Sequence, residues 1–310
     1  MSRGFVVAGE ALVDIVVAPS GQTDEAVGGS PMNVAVGLAR LDVPALLITQ
    51  IGDDDRGRQI AGHVRACGAR MSESSIVPGF ATSTATARLD QDNAATYDFE
   101  LTWSVPEQPL PEADALHVGS LGVVLEPGRQ AVLDLVRQAE ARGLFVSFDP
   151  NVRPAFLEDP VAGWQQLTEV AARSTLVKVS DEDLHALRRD TPIRDLAAEL
   201  LRGDRTELVV VTRGGAGASA FTDKLDVEAA APRVDVVDTV GAGDSFMAAT
   251  LAILHDWQLP AAGPGALAGM EEDRLRELLG GSMAAAAVTC SRRGANPPTR
   301  RELPPGWPSV

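Results

Sequence analysis

Four features are scarce in this 310-residue sequence, and each scarcity excludes a class of function. Two cysteines, without metal-ligand spacing, leave no cysteine metal site and favour a reducing compartment, the cytoplasm. Lys and Arg number 27 against 43 Asp and Glu, so the net charge of -16 argues against nucleic-acid binding. No run of about eighteen apolar residues or apolar leader occurs, so we expect neither a membrane span nor a signal peptide. Aromatic residues make up 4%, so the core must depend on aliphatic side chains.

A dinucleotide fingerprint is also missing. No Gly-x-Gly-x-x-Gly follows the first apolar strand at residues 5–8, which argues against a dinucleotide-dependent oxidoreductase. What the sequence does contain is a regular alternation of short β-branched runs with amphipathic helical segments. This alternation predicts one domain over residues 1–310, with a mostly parallel central sheet in a three-layer α/β/α arrangement.

One region interrupts the alternation. Residues 82–89 and 95–101 are rich in Thr, alternate in polarity and flank a polar turn at 90–93, as in a β-hairpin. We expect residues 12–28 and 81–102 to form a small second β-sheet that projects from the main sheet as a lid.

The stretch from Asp238 to Ala248 is the most informative in the chain. It predicts a strand end, a turn of small residues and a helix start, where free N–H groups and the helix dipole suit a phosphate. Asp244 would lie in the first helical turn. A carboxylate there could accept a proton from an attacking hydroxyl, or it could only complement the helix dipole.

Other polar segments follow predicted strands, and ligands of parallel α/β sheets bind at the carboxyl ends of strands. These segments are Glu10, 149–153, 180–183, 212–217 and 238–244. A further cluster, Asp53–Asp55, could suggest a metal site, but N-capping of the next helix is the preferred interpretation.

With these residues in view, the chain resembles the ribokinase-like (PfkB) carbohydrate kinases over essentially its full length. Its motifs look most like those of the fructokinase and 2-keto-3-deoxygluconate kinase branch. The stretches that carry the resemblance are 9–14, 28–35, 149–154, 238–244 and 293–298. The resemblance implies a mostly parallel sheet flanked by helices, with a small β-sheet lid.

The resemblance also implies catalytic roles. Asp244 would be the base for a primary sugar hydroxyl, and Gly241, Ala242 and Gly243 would form the anion hole with it. Asp14, Gly29 and Asn33 would hold sugar hydroxyls. From the residues alone, Asp14 could equally be an exposed strand residue and Asn33 a helix-start cap.

Other implied roles concern the nucleotide and ions. Thr212, Gly214 and Gly217 match the family's nucleotide-binding turn, although such glycine runs are also common in hairpins. Arg153 would approach the transferred phosphate or an anionic substrate group, or lie on the surface. Asp183 stands where relatives carry Glu near magnesium, so it would act through water or only close a capping box. Asp238 would adjoin a monovalent cation, K⁺.

The lid would supply substrate selectivity through Arg88 and Tyr97, although Tyr97 could instead pack inside the lid or between subunits. Because related lids often pair, a homodimer is expected. The resulting hypothesis is an ATP- and Mg²⁺-dependent kinase that phosphorylates a hydroxymethyl group of a sugar, with D-fructose as the preferred substrate. The alternatives are 2-keto-3-deoxygluconate as substrate and a non-catalytic sugar-binding regulator.

Overall fold

The computed structural model describes residues 3–91, 95–105, 107–157 and 159–308. Within these ranges, the strands are β1 (Phe5–Ala8), β2 (Leu12–Val17), β3 (Thr23–Gly28), β4 (Ala45–Ile48), β5 (Ile51–Gly52), β6 (Arg70–Met71), β7 (Ile76–Val77), β8 (Thr84–Leu89), β9 (Ala95–Glu100), β10 (Ala115–Gly119), β11 (Phe145–Asp149), β12 (Leu176–Ser180), β13 (Leu208–Thr212), β14 (Ala218–Phe221) and β15 (Asp226–Ala229).

The α-helices alternate with these strands through most of the chain. They are α1 (Ser30–Arg40), α2 (Asp55–Ala66), α3 (Gly128–Ala141), α4 (Pro160–Ala171), α5 (Asp181–Arg188), α6 (Ile193–Leu200), α7 (Ala242–Asp256), α8 (Leu259–Ala262) and α9 (Glu272–Cys290). No helix in the ranges given above is long and apolar enough to cross a membrane.

The central sheet has nine strands in the order β15-β14-β13-β12-β11-β10-β1-β4-β6. The pairs from β13 to β6 are parallel, and β14 and β15 add an antiparallel edge. One apolar core joins one face of the sheet to α1, α2, α7 and α9, and a second joins the other face to α3–α6. The predicted three-layer, mostly parallel fold is confirmed. Its carboxyl strand ends meet at one edge, as such sheets require.

A separate four-stranded sheet, in the order β3-β2-β8-β9, is called the small sheet below. Its strands fall within 12–28 and 81–102. Strand β8 begins at Thr84 rather than at the predicted 82. The backbone N–H of Thr82 donates to the Asp54 carboxylate and is therefore not available to pair with a strand. The predicted turn at 90–93 lies partly outside the described residues.

The Asp53–Asp55 cluster caps a helix, as expected. Asp54 is the N-cap of α2 and accepts a hydrogen bond from the Gly57 N–H at 2.8 Å. It also accepts from the backbone N–H and hydroxyl of Thr82, at 2.8 and 2.6 Å. Burial opposes the charge, but the bonds from Thr82 and Gly57 prevail and lower the pKa of Asp54. The Asp54 carboxylate thus links the start of α2 to Thr82, just before strand β8 of the small sheet.

Replacing this carboxylate should destabilise the fold. We expect Asp54→Ala to reduce the free energy of unfolding by about 1–2 kcal/mol at pH 7, as loss of an N-cap does. Since the pKa is lowered in the folded state, the loss should shrink as the pH falls below the usual value of 3.8. Urea unfolding at several pH values measures both effects. The neighbouring exposed Asp53→Ala is the control, and equal losses in the two variants would contradict the prediction.

Candidate active site

The turn before α7 is built to expose backbone N–H groups. Gly241 caps the helix in the left-handed region, with a φ of 75°, and a Cβ there would lie 2.7 Å from Ala295. Only glycine fits this position without strain. Gly243 and Asp244 follow in the first helical turn, where N–H groups have no intrahelical acceptor. The positive end of the α7 dipole therefore faces the carboxyl edge of the sheet.

Asp244 is held from two sides by the start of another helix. The Ser30 hydroxyl donates to Oδ1 at 2.6 Å, and the Asn33 amide donates to Oδ2 at 2.8 Å. Both donors lie in the first turn of α1 and are buried. Two helix N-termini therefore converge on one carboxylate. The structure places the Asn33 amide against Asp244, where it orients the carboxylate. The space between this helix start, the turn before α7 and Asp14 of the small sheet is called the cleft below, and Asn33 borders it.

Asp14 lies beside the glycine pair that precedes α1. A Cβ at Gly28 would lie 2.2 Å from Oδ2 of Asp14, and Gly29 has a φ of 112° and would place a Cβ 2.6 Å from the Glu10 carbonyl. Position 29 thus requires glycine, and a side chain at Gly28 would displace the Asp14 carboxylate. Asp14 keeps an accessible surface, yet burial of its carboxyl raises its pKa, and Arg153 opposes that shift. This open but crowded cleft suits a carboxylate that accepts hydroxyl hydrogen bonds.

The loop after β11 is fixed by Asp183. Its Oδ1 accepts from the Val152 N–H at 2.8 Å, and its Oδ2 accepts from the Ser180 N–H at 3.0 Å. The Ser180 hydroxyl accepts from the Asp183 N–H in return, which completes the capping box of α5. Asp183 therefore positions the loop that carries Arg153, and a metal contact from it would pass through water.

The predicted nucleotide turn joins β13 to the antiparallel β14. Thr212 is in register with Ser180 at the carboxyl edge of the sheet. Gly214 has a φ of 48°, and a Cβ there would meet nothing within 4 Å, whereas a Cβ at Gly217, with a φ of 107°, would clash with the Ala229 carbonyl. The turn is thus a hairpin that also presents open backbone beside the site.

The small sheet presents one face to the cleft. Strand register aligns Asp14 with Ala85 and Ala85 with Phe99, so these side chains share a face, which Tyr97 extends. The Phe99 ring meets Phe156 of the 150–157 loop edge-on at a centroid distance of 5.0 Å.

The other two lid assignments differ in outcome. Tyr97 is 63% exposed and stacks on Phe99, so it is not packed inside the lid. Arg88 aligns with Val17 and Thr96 and therefore lies on the opposite face from Asp14. The structure does not bring Arg88 to the cleft.

Asp238 holds the 238–241 turn in place through two hydrogen bonds from backbone N–H groups. Its carboxylate accepts from the Val240 N–H at 3.0 Å and the Gly294 N–H at 2.8 Å, and these bonds lower its pKa. This links the 238–241 turn to the loop after α9, where Ala295 packs against Gly241.

A buried polar row beneath the site escaped the sequence interpretation. Nζ of Lys178 lies 2.8 Å from Oδ2 of Asp149, with side chains only 5% and 1% exposed. Burial raises the pKa of Asp149 to about 6, against the effect of Lys178. His117 lies 3.0 Å from the Ser147 hydroxyl, and burial together with Lys178 lowers its pKa to about 3, so the ring is neutral. The detectable signal was a charged residue inside an apolar strand, as in Leu-Val-Lys-Val-Ser.

Comparison with known proteins agrees with this arrangement. Residues 5–301 match the model of the pfkB family carbohydrate kinases. The chain belongs to this family. It is 31% identical over 312 residues to an Arabidopsis thaliana protein named probable fructokinase-3, covering 95% of this chain and 88% of that protein.

Solved structures share the fold. A Xylella fastidiosa fructokinase with bound ATP superposes with a TM-score of 0.82 at 24% identity, covering 98% of this chain and 96% of that one. An E. coli protein assigned as a ribokinase II, in complex with ATP and Mg²⁺, gives a TM-score of 0.77 at 24% identity, with 95% and 94% coverage. The chain is therefore a carbohydrate kinase, an enzyme that transfers phosphate to a sugar hydroxyl.

The close approach of Lys178 to Gly243 gives a test of the anion hole. A Cβ at Gly243 would lie 3.2 Å from Nζ of Lys178. We expect Gly243→Ala to lower kcat by about 10²-fold, the cost typical of losing one anion-hole donor, because the turn or the ammonium beside it must shift. Gly280→Ala, in the exposed part of α9 with open space around it, is the matched control and should keep full activity. Steady-state kinetics of both variants decides, and equal activity would contradict the assignment.

Proposed function

We propose that the protein is an ATP-dependent fructokinase that phosphorylates a hydroxymethyl group of D-fructose. The observation that carries this proposal is the Asp244 carboxylate, oriented by Ser30 and Asn33 beside the free N–H groups of the α7 turn. The similarity to a protein named fructokinase over nearly the full chain supports the choice of sugar.

The proposed reaction uses Asp244 as general base. Asp244 accepts the proton of the sugar hydroxyl while that oxygen attacks the γ-phosphorus of ATP. The bond to the β-phosphate oxygen breaks, and ADP leaves. The N–H groups of Gly241, Gly243 and Asp244 and the helix dipole stabilise the negative charge on the phosphoryl oxygens during transfer. The Ala242 N–H donates instead to the Thr239 carbonyl at 3.2 Å, so Ala242 would shape the anion hole without donating to it. Asp14, Gly29 and Asn33 would hold the sugar so that the hydroxyl reaches Asp244.

Charge around the cleft favours a neutral sugar over 2-keto-3-deoxygluconate. A cation is the strongest partner for a carboxylate substrate. Arg88 lies on the far face of the small sheet. Arg153 opposes the raised pKa of both Asp14 and Glu10, so its charge already acts on two carboxyls of the protein. These placements favour fructose.

The nucleotide would bind at the carboxyl edge of the central sheet, where β13 ends, against Thr212, Gly214 and Gly217. The residues along this edge fit a magnesium ion that is held mainly by phosphates and water, as is usual for Mg²⁺. In the described ranges, no cluster of three metal-ligating side chains occurs, so the protein would not enclose the ion by itself. In the same ranges, Oδ1 of Asp149 is buried without a hydrogen-bond partner and could accept a bond from a water of the ion. When bound, Mg²⁺ would neutralise phosphate charge. A structural relative in complex with ATP and Mg²⁺ supports both ligands.

Further parts of the proposal concern the setting of the enzyme. We place it in the cytoplasm, as a homodimer that pairs through the small sheet, whose cleft face leaves Tyr97 and Val16 exposed. The proposal includes a K⁺ site beside Asp238, because the 238–241 turn that Asp238 holds adjoins the anion hole. The non-catalytic regulator is disfavoured, because both oxygens of Asp244 are oriented by dedicated donors.

Loss of the base should abolish turnover. We expect Asp244→Asn to lower kcat by about 10³-fold or more, because the amide cannot accept the proton, while its size preserves the fold. ADP release is measured with a sugar panel that includes fructose, ribose and 2-keto-3-deoxygluconate. Wild-type activity that is highest on 2-keto-3-deoxygluconate would overturn the substrate, and near-normal turnover by Asp244→Asn would overturn the base.

The sugar contact of Asp14 gives a separate test. We expect Asp14→Asn to raise KM for fructose about 10-fold or more, the cost of about 1.5 kcal/mol for weakening a hydrogen bond to a charged group, with KM for ATP unchanged. Arg88→Ala, on the opposite face of the same sheet, should leave both constants unchanged. A matching rise in KM for fructose in both variants would contradict the assignment of faces.

A further inference from the structure

We propose that Lys178 is a positioning residue of the phosphoryl-transfer step: its buried ammonium, anchored by Asp149, places a fixed positive charge directly behind the anion hole at Gly243. The inference rests on the proposed kinase function. It assigns a role to a residue that approaches the site from inside the sheet rather than from the cleft.

The geometry that points to this role is the contact between β12 and the α7 turn. Nζ of Lys178 lies 2.8 Å from Asp149 and 3.2 Å from the position that a Cβ of Gly243 would occupy. The glycine thus allows the ammonium to approach the backbone of the turn. Among the described residues beyond the turn and its own helix, no other atom lies within 4 Å of that position.

Lys178 also has unused hydrogen-bonding capacity. An ammonium carries three N–H donors, and Asp149 is its hydrogen-bond partner among the described residues. On the acceptor side, Oδ1 of Asp149 is buried and has no hydrogen-bond partner in the same part of the chain. The ammonium therefore has N–H donors left for water or a phosphate oxygen, and the carboxylate has an acceptor left for water, which an ion pair with a purely structural role would not need.

Stability alone does not account for the pair. Desolvating two charges costs several kcal/mol, and apolar replacements of buried ion pairs are often neutral or stabilising. Leu176 and Val210, which share a face of the sheet with Lys178, belong to an apolar core, so apolar side chains already pack on this face.

The surrounding charges explain why the ammonium stays protonated. Burial opposes its charge, but Asp149, followed by Asp183 and Asp244, raises the pKa of Lys178. Three carboxylates therefore face one cation, and His117 on the nearby strand β10 is neutral. A charge that is fixed before the reaction stabilises the transferring phosphoryl group without reorganisation, which is the most effective form of electrostatic catalysis.

The test compares kcat with KM. We expect Lys178→Met to lower kcat by about 10²-fold, similar to the loss of one anion-hole donor, with the KM values for ATP and sugar little changed. Binding of ADP with aluminium fluoride and the sugar, a mimic of the transferring phosphoryl group, should weaken in parallel, whereas binding of ADP alone should not.

A double variant keeps the test informative if Lys178→Met fails to fold. Lys178→Met combined with Asp149→Asn leaves no unpaired buried charge, and Asp149→Asn alone keeps the ammonium. The double variant should be slower than Asp149→Asn by a similar factor. Arg300→Met, which breaks the remote ion pair with Asp256, is the control and should lower Tm without lowering kcat.

The outcomes separate this inference from the proposed function. If the wild-type enzyme phosphorylates no sugar of the panel, the kinase proposal fails before Lys178 is tested. Suppose instead that the wild type is active and that Lys178→Met folds. If this variant keeps the wild-type kcat, or if its only change is a higher KM for ATP, the role of Lys178 behind the anion hole is overturned.

Discussion

The molecule depends on the meeting of two helix N-termini at one carboxylate. Residues 30 and 244 are far apart in the chain, yet Ser30 and Asn33 of α1 bond both oxygens of Asp244 in α7. The contact joins α1, which follows β3, to α7, which follows β15. The aliphatic core beneath α1 and α7 holds the two helices together, so that the donor atoms of Ser30 and Asn33 lie 2.6 and 2.8 Å from the Asp244 carboxylate.

Much of this arrangement could be predicted from local patterns. Strand–helix alternation indicates the three-layer sheet, and the small-residue turn indicates the helix start at Gly241. These features depend on residues near each other in sequence, such as a glycine that needs a positive φ. The N-cap role of Asp54 was predictable for the same reason.

What could not be predicted depends on pairing between distant segments. The bonds from Ser30 and Asn33 to Asp244 require two helices to converge, and the Lys178–Asp149 pair requires β11 to lie beside β12. Arg88 was grouped with Tyr97 because both lie on predicted lid strands. A shift of one residue reverses the face of a strand, and the register that decides it is set only when β8 and β9 pair.

Asp183 joins parts of the site that would otherwise be independent. One oxygen holds the Val152 N–H of the sugar-side loop, and the other closes the start of α5, which follows the strand beside the nucleotide turn. A displacement of either segment must strain the bond to the other. Under the proposed function the two substrates share this element, and any free-energy coupling that it carries between them is the same in either order of addition.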